Sequence, residues 1–335
     1  MQKAMSLFLI WFSCSFAPIY AEVPFVKQKV VQVFINEMVK NYKFKKVDLI
    51  KIFAQVKFEP KVLYHLNKPL EIQPWYLYQR LFVTEWRVQY GVLFWNKYAE
   101  ILKKVEKIYG VPSGIIVATI GVETKYGQRI GDYRVINALA TIAFSNSPRA
   151  NFFRQELKEF LLLMREQHDD PFKIMGSYAG AIGQPQFMPS SYRRYAIKFH
   201  KGNKIDLIHN EADVIASIAN YYKQHGWVRK GKVASPAYMV GNRFWLLNNK
   251  QPLNKPLSVS QLIRFGVTSK NKSTTKIPLK MIELEGRFHK EYWLGFSNFD
   301  VIRRYNASDL YAMAVFQLSE YITELHQRLK KDYPA

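Results

Sequence analysis

Apolar side chains return at three- and four-residue steps along most of this chain, the period of an amphipathic helix. From Asn96 to Tyr109 the apolar positions are Tyr98, Ile101, Leu102, Val105 and Ile108, and Gly110 follows as a stop. Pro112 suits the first turn of a further helix, in which Ile115 to Val122 is apolar on every face before Glu123 and a stop near Gly127. The same period predicts helices over Phe152–Gln167, Glu211–Gln224 and Ser308–Leu329, the second with Val214, Ile215, Ile218 and Tyr222 on one side. Val26 to Phe58 reads as two short amphipathic helices, and Trp75 to Tyr98 as an aromatic-rich stretch with mixed helical spacing. The pattern then changes. From Val214 to Ile282 there is no Asp or Glu, and after the helix short apolar runs such as Tyr238-Met239-Val240 alternate with Asn, Pro, Ser and basic residues. This predicts an irregular, partly β subdomain inserted into a mainly α protein. No internal repeat is evident.

Composition narrows the class. With 48% hydrophobic and 15% aromatic residues over 335 positions, burial can offset chain entropy, and disorder is excluded. The 49 Lys and Arg against 26 Asp and Glu give a formal charge of +23, which asks for an acidic partner: nucleic acid, anionic membrane or cell-wall polymer. The single cysteine, Cys14, excludes an intrachain disulfide and a cysteine-rich metal site. Lys3, the apolar run Ala4 to Phe16 and the sequence Ala17-Pro18-Ile19-Tyr20-Ala21 read as a secretory signal peptide over residues 1–21, with cleavage after Ala21. Such cleavage leaves +22 and removes the cysteine. A lipid anchor on Cys14 is the less favoured reading, because bulky Trp11-Phe12-Ser13 precedes it where bacterial lipoprotein signals carry small residues.

Several catalytic signatures are missing: no phosphate-binding loop, no His-Glu-x-x-His, no dinucleotide fingerprint and no Gly-x-Ser-x-Gly elbow. The seven histidines do not fall at metal-ligand spacing, so no metal or cofactor is expected. Glu123 stands out by its setting at the end of an all-apolar helix. Desolvation and the negative end of the helix dipole both favour its protonated form, as a glycosidase general acid requires. A cap, or a partner for Lys125 or Arg129, is the other reading of the same residue. The run Gly176-Ser177-Tyr178-Ala179-Gly180 through Gln186 to Tyr192 is small and neutral; Ser177 and Gln186 offer groups suited to sugar hydroxyls and acetamido groups, and a tight interhelical turn accounts for the spacing equally well. Tyr221, Tyr222, Tyr305 and Tyr311 offer rings that can pack on pyranose faces, although most aromatics in such a chain form core.

Together these segments resemble the lytic murein transglycosylase B family, glycoside hydrolase family 103. The runs are Tyr109-Gly-Val-Pro-Ser, Ile120-Gly-Val-Glu-Thr-Lys-Tyr-Gly127, Asn137-Ala-Leu-Ala-Thr141, Gly176 to Tyr192, Ser217-Ile-Ala-Asn-Tyr-Tyr222 with His225-Gly-Trp227, and Arg304-Tyr-Asn306 with Tyr311-Ala-Met-Ala-Val315. The resemblance implies a lysozyme-like helical core (96–227), a helical N-terminal subdomain (22–95), a small basic β-containing insertion (228–290) and a C-terminal part (291–335) returning to the core. It implies cleavage of the MurNAc-β-1,4-GlcNAc bond of peptidoglycan without water, forming 1,6-anhydro-MurNAc. Glu123 is then the sole catalytic carboxyl, and Ser177, Gln186, Tyr221, Tyr305, Asn306 and Tyr311 line the substrate cleft. A periplasmic monomer is expected, with peptidoglycan strands as partner, wall-synthesis proteins as candidate helpers, and no nucleic acid.

Three departures from the family pattern matter. Some relatives carry a calcium loop of EF-hand type where this chain has Lys198 to His209; Lys198, His200 and Gly202 occupy the first three ligand positions, and Asp206 alone cannot supply the oxygens. No calcium is therefore expected. Gln184-Pro185 replaces a Tyr-Gly pair, with an altered sugar subsite as the expectation, and the weak lipid signal suggests a soluble form. The alternatives are a hydrolytic muramidase, with Asp132 as the nearest second carboxylate, and a non-catalytic peptidoglycan-binding scaffold.

Overall fold

The helical period is realised from the first residues that the computed structural model describes, which are 25–66, 72–244, 258–269 and 280–332. The segment read as a signal peptide, with Cys14, lies outside the described residues, as do parts of the basic insertion. The chain divides into two compact units, the first ending at Val56 and the second starting at Lys57. In the first, helix α1 (Lys29–Tyr42) buries Val31, Phe34, Ile35 and Met38, spaced so that they fall on one face. Its partner α2 (Lys46–Gln55) buries Leu49 and Phe53, and the Phe34 and Phe53 rings meet edge-on at 5.9 Å. Both helices are therefore amphipathic, as their spacing predicts.

The second unit begins with α3 (Pro60–Leu66), α4 (Trp75–Phe82), α5 (Glu85–Lys97), α6 (Ala99–Tyr109) and α7 (Ser113–Thr124). The helix expected from Asn96 starts only at Ala99, because Tyr98 leaves helical geometry at φ −114° and ψ 25° and serves as both the end of α5 and the entry to α6. Pro112 stands just outside α7, in extended geometry, and the helix opens at Ser113. The Glu106 carboxylate caps that opening, accepting from the Ser113 N–H at 2.9 Å and its hydroxyl at 2.7 Å. Every residue of α7 from Ser113 to Val122 is buried, with α5, α6 and α11 (Glu211–Gln224) packed around it. The long last helix α14 (Asp309–Asp332) also runs against it. A helix with no polar face can exist only in such surroundings. Among the described residues no single helix is long and apolar enough to cross a membrane.

Between these lie β1 (Tyr133–Arg134), α8 (Val135–Ala143), α9 (Ala150–Gln167), β2 (Met175–Gly176) and α10 (Pro189–Tyr195). β1 and β2 pair antiparallel, Tyr133 opposite Gly176. After α11 come β3 (Ala234–Met239), α12 (Val259–Arg264), β4 (Val267–Ser269), β5 (Lys280–Glu285) and β6 (Lys290–Gly295), and then α13 (Ser297–Tyr305) leads to α14. The four strands form one antiparallel sheet in the order β4-β3-β6-β5, with Leu262, Val267, Met281, Leu294 and Phe296 as its own small core. The protein is mainly helical with this one small sheet inserted between α11 and α13.

Candidate active site

The site is built at the C-terminal end of α7. Three consecutive residues there, Lys125, Tyr126 and Gly127, are left-handed, with φ of 51°, 59° and 83°. The Tyr126 N–H closes back on the Ile120 carbonyl and the Lys125 N–H on Gly121. This sharp exit leaves Glu123, half-buried, on the last turn of an otherwise buried helix. Two braces hold the turn. The Tyr126 hydroxyl donates to the Arg87 carbonyl at 2.5 Å, while Arg87 Nε donates to the Gly121 carbonyl at 2.9 Å. On the other side the Thr124 hydroxyl donates to the Gln184 carbonyl at 3.1 Å, tying the 176–187 loop to the helix end.

Tyr311 Oη, on the first turn of α14, donates to Glu123 Oε1 at 2.6 Å. That length is typical of a hydroxyl serving a carboxylate. The Tyr305 ring, ending α13, lies nearly parallel to Tyr311 at 6.2 Å and 13°, and it meets Tyr221 of α11 at 4.8 Å and Phe187 at 5.8 Å. The Tyr305 hydroxyl donates to the Pro185 carbonyl and that of Tyr221 to the Arg304 carbonyl, both at 2.6 Å. These two tyrosines therefore offer a ligand ring faces, their hydroxyl protons being committed to backbone. Burial pushes all of Tyr221, Tyr222, Tyr305 and Tyr311 above the ordinary phenol range, and for Tyr305 and Tyr311 the Glu123 charge is the next cause. They remain neutral hydrogen-bonding groups.

Ser177 and Gln186 sit on the loop that Thr124 ties down. Ser177 Oγ accepts from the Ala181 N–H at 3.1 Å and the Ala179 N–H at 3.3 Å, so what it has left for a ligand is its proton. Gln186, held at φ 49°, donates through Nε2 to the Ile130 and Gly183 carbonyls at 3.0 and 2.8 Å, so what it has left is the acceptor Oε1. A donor and an acceptor on one loop complement the carbonyl and N–H of an acetamido group. The loop closes on Gly131, where a Cβ would stand 2.0 Å from the Gly176 carbonyl oxygen and φ is 111°, so only glycine fits.

Glu123, Tyr305 and Tyr311 are thus drawn together, with Tyr221 one ring further out and Gln186 joined through the Pro185 bond. Asn306 follows Tyr305 in extended backbone, and Ser177 stands nine residues before Gln186 on the loop. Tyr221 also borders a cavity of about 560 Å³ that Tyr195, His225 and Arg194 help to line. Sequence reasoning missed Thr119, whose buried hydroxyl is 2.8 Å from that of Tyr222; Tyr222, named from the sequence as a ring for a pyranose face, is itself fully buried. Of the Gln184-Pro185 pair, Gln184 is 4% exposed and donates to the Ile208 carbonyl, and the Pro185 carbonyl accepts from the Tyr305 hydroxyl. Asp132 is exposed on the turn before β1.

The 198–213 loop does not fit calcium. Asp213, fully buried, accepts from the Phe199 and His200 N–H groups and His200 Nδ1 on one oxygen and from the Asp206 N–H on the other. The Lys198 ammonium donates to the Gly202 carbonyl at 2.8 Å. Protein donors thus occupy the oxygens a calcium ion would need. Among the described residues no group of three His, Cys, Asp or Glu converges to hold a metal.

With this geometry, likeness to known proteins is informative. Residues 26–320 match the family model described as the transglycosylase SLT domain. The membrane-bound lytic murein transglycosylase B of Escherichia coli (strain K12) is 39% identical over 301 residues, covering 87% of this chain and 82% of that protein. The solved catenated lytic transglycosylase SltB1 of Pseudomonas aeruginosa superposes with a TM-score of 0.85 at 41% identity, over 90% of this chain and 99% of that one. SltB3 of the same organism, solved in complex with NAG-NAM-pentapeptide, matches with a TM-score of 0.78 at 26% identity, over 88% of this chain and 80% of that one.

Proposed function

The chain belongs to the transglycosylase SLT-domain family, and on that premise we propose that it is a lytic murein transglycosylase in which Glu123 serves first as acid and then as base. The protein binds peptidoglycan glycan strands and acts in the cell envelope. Glu123 gives its proton to the glycosidic oxygen as the bond from MurNAc C1 breaks and GlcNAc departs with its 4-hydroxyl restored. The acetamido oxygen, accepting the Ser177 proton, stabilises C1 while the acetamido N–H donates to Gln186 Oε1, in the manner of substrate-assisted glycosidases. The Glu123 carboxylate then takes the proton of the MurNAc 6-hydroxyl, O6 bonds to C1, and the 1,6-anhydro ring leaves an enzyme protonated as it began. Tyr221, Tyr305, Asn306 and Tyr311 complete the cleft. Residues 96–227 carry this chemistry in our reading, with 228–290 as the basic insertion, and export to the periplasm as a monomer belongs to the same proposal.

One observation carries the assignment. Glu123 takes the Tyr311 hydroxyl directly at 2.6 Å, and its charge is the foremost one felt by Tyr222, Tyr305 and Tyr311. A two-carboxylate hydrolase needs a second carboxylate beside the sugar, and the buried carboxylates of Glu156 and Asp213 are engaged elsewhere, with Ser190 and the 198–206 backbone. Mass spectrometry of digested sacculi tests the reading. Anhydro-MurNAc ends are expected from the wild type and a loss of about a thousandfold or more from Glu123→Gln, with the fold retained. Reducing MurNAc ends, or an active Glu123→Gln variant, would overturn it.

A further inference from the structure

The turn between α13 and α14 carries Tyr305 on one side and Tyr311 on the other. Ser308 Oγ accepts from the Tyr311 N–H at 3.3 Å and the Ser308 carbonyl from the Ala312 N–H at 3.1 Å, so Ser308 caps α14 and Asp309 is its first residue. Asp309 is bound from two directions. Lys280 Nζ, from the start of β5 in the inserted sheet, donates to Asp309 Oδ1 at 2.8 Å and Oδ2 at 3.0 Å. Arg303, on the last turn of α13, forms an ion pair with the same carboxylate. The Lys280 side chain is 7% exposed and that of Asp309 33%. The sheet has a second anchor on the same helix, where Trp293 of β6 meets Phe316 edge-on at 6.2 Å.

We propose that Lys280 is a positioning residue of the catalytic centre: through Asp309 it fixes the first turn of α14, and with it the Tyr311 hydroxyl on Glu123. The proposal rests on the reading of Glu123 as the acid and base. Tyr305 has anchors of its own, since the Pro185 carbonyl holds its hydroxyl and the preceding Arg304 carbonyl holds that of Tyr221. The Tyr311 hydroxyl is given to Glu123 at 2.6 Å, so its place is set by the backbone at the start of α14, two residues from Asp309. A bond of that length is lost on a displacement of about 1 Å. Taking an ammonium out of water is costly, and an apolar side chain of similar volume would dock the sheet at least as well. What the Lys280–Asp309 pair adds is direction: two donated bonds orient the carboxylate, and the carboxylate orients the helix start. The inserted sheet is thereby a part of the active site as well as a basic surface.

On a soluble glycan fragment, Lys280→Met should lower kcat about tenfold with KM within about twofold of wild type. Its urea midpoint should fall as well, because Asp309 loses its buried partner. The variant Lys280→Met/Asp309→Asn removes both charges, so stability should return while kcat stays low; where Lys280→Met alone does not fold, this double variant carries the test. Added to Tyr311→Phe, Lys280→Met should cost less than about twofold, since the group it positions is already gone. Lys290→Met removes another basic residue of the same sheet, one paired with Glu283 on the surface, and should turn over like wild type. Wild-type kcat in folded Lys280→Met, recovery of kcat together with stability in the double variant, or a further tenfold loss on top of Tyr311→Phe would each overturn the proposal. Glu123→Gln in the same assay separates the two readings. If it is inactive while Lys280→Met matches wild type, only the clamp fails; if it is active, the acid-base reading fails first.

Discussion

Glu156 is a buried acid unlike Glu123, and the difference lies in what surrounds each carboxyl. Glu156 accepts from the Ser190 N–H at 3.0 Å and hydroxyl at 2.7 Å, which secures the start of α10 on α9. Burial raises its carboxyl above the ordinary value of 4.5, and the Ser190 bonds only partly reverse that. The folded state therefore holds this proton more tightly than the unfolded chain does. The resulting stability is complete below the unfolded value and is lost as pH rises through the higher folded one. Melting temperatures between about pH 7.5 and 4.5 should show the wild type gaining relative to Glu156→Gln as pH falls. A difference between the two proteins that is flat across that range would contradict the assignment. Residue-scale signals of this kind divide sharply in legibility. Glu123 was visible because an acid ends an all-apolar run, whereas Thr119 looks like any core position until α11 brings the Tyr222 hydroxyl against it.

At the scale of elements, α5 and α7 are locked by a ring and a missing side chain. The Tyr126 hydroxyl reaches the Arg87 carbonyl by passing close to Gly121, where an added Cβ would lie 2.6 Å from that hydroxyl and 2.7 Å from Cζ. Gly121→Ala should therefore force the helix pair apart, costing about 1–3 kcal/mol in urea unfolding, and should lower activity because Glu123 is two residues on. Adding Tyr126→Phe, which removes the nearest obstructing atom, should recover part of the loss. A Gly121→Ala protein as stable as wild type would show that the contact is not tight in solution. The helices themselves were largely legible: α7, α9, α11 and α14 follow from spacing because tertiary packing rewards the same faces that periodicity marks. The break at Tyr98 and the position of Pro112 outside α7 were not, since a helix boundary depends on which group caps it, and Glu106 reaches Ser113 from the preceding helix.

For the whole molecule, the charge of +23 finds its meaning in the partner. Peptidoglycan carries carboxylates on its stem peptides, and the acid-free stretch from Val214 presents Lys223, Lys230 and Lys232 exposed among the described residues. Arg229 in the same stretch donates to the Lys107 carbonyl at the end of α6 and so belongs to the fold. Raising ionic strength from about 0.05 to 0.5 M should weaken adsorption to sacculi while leaving turnover of short soluble fragments nearly unchanged. Equal salt sensitivity in both assays would place the charge in catalysis instead. By itself the sequence determined the helical class, the inserted basic β segment and the acid at the end of a buried helix, because periodicity and composition are local properties that burial must satisfy. Only the tertiary structure decided which hydroxyl protons remain available: it turned Tyr221 and Tyr305 into ring faces, left Ser177 a donor and Gln186 an acceptor, and set the Tyr311 hydroxyl on Glu123. Each such group has one proton or two lone pairs to give, and its partner comes from a segment up to 188 residues away, a distance no local pattern can span.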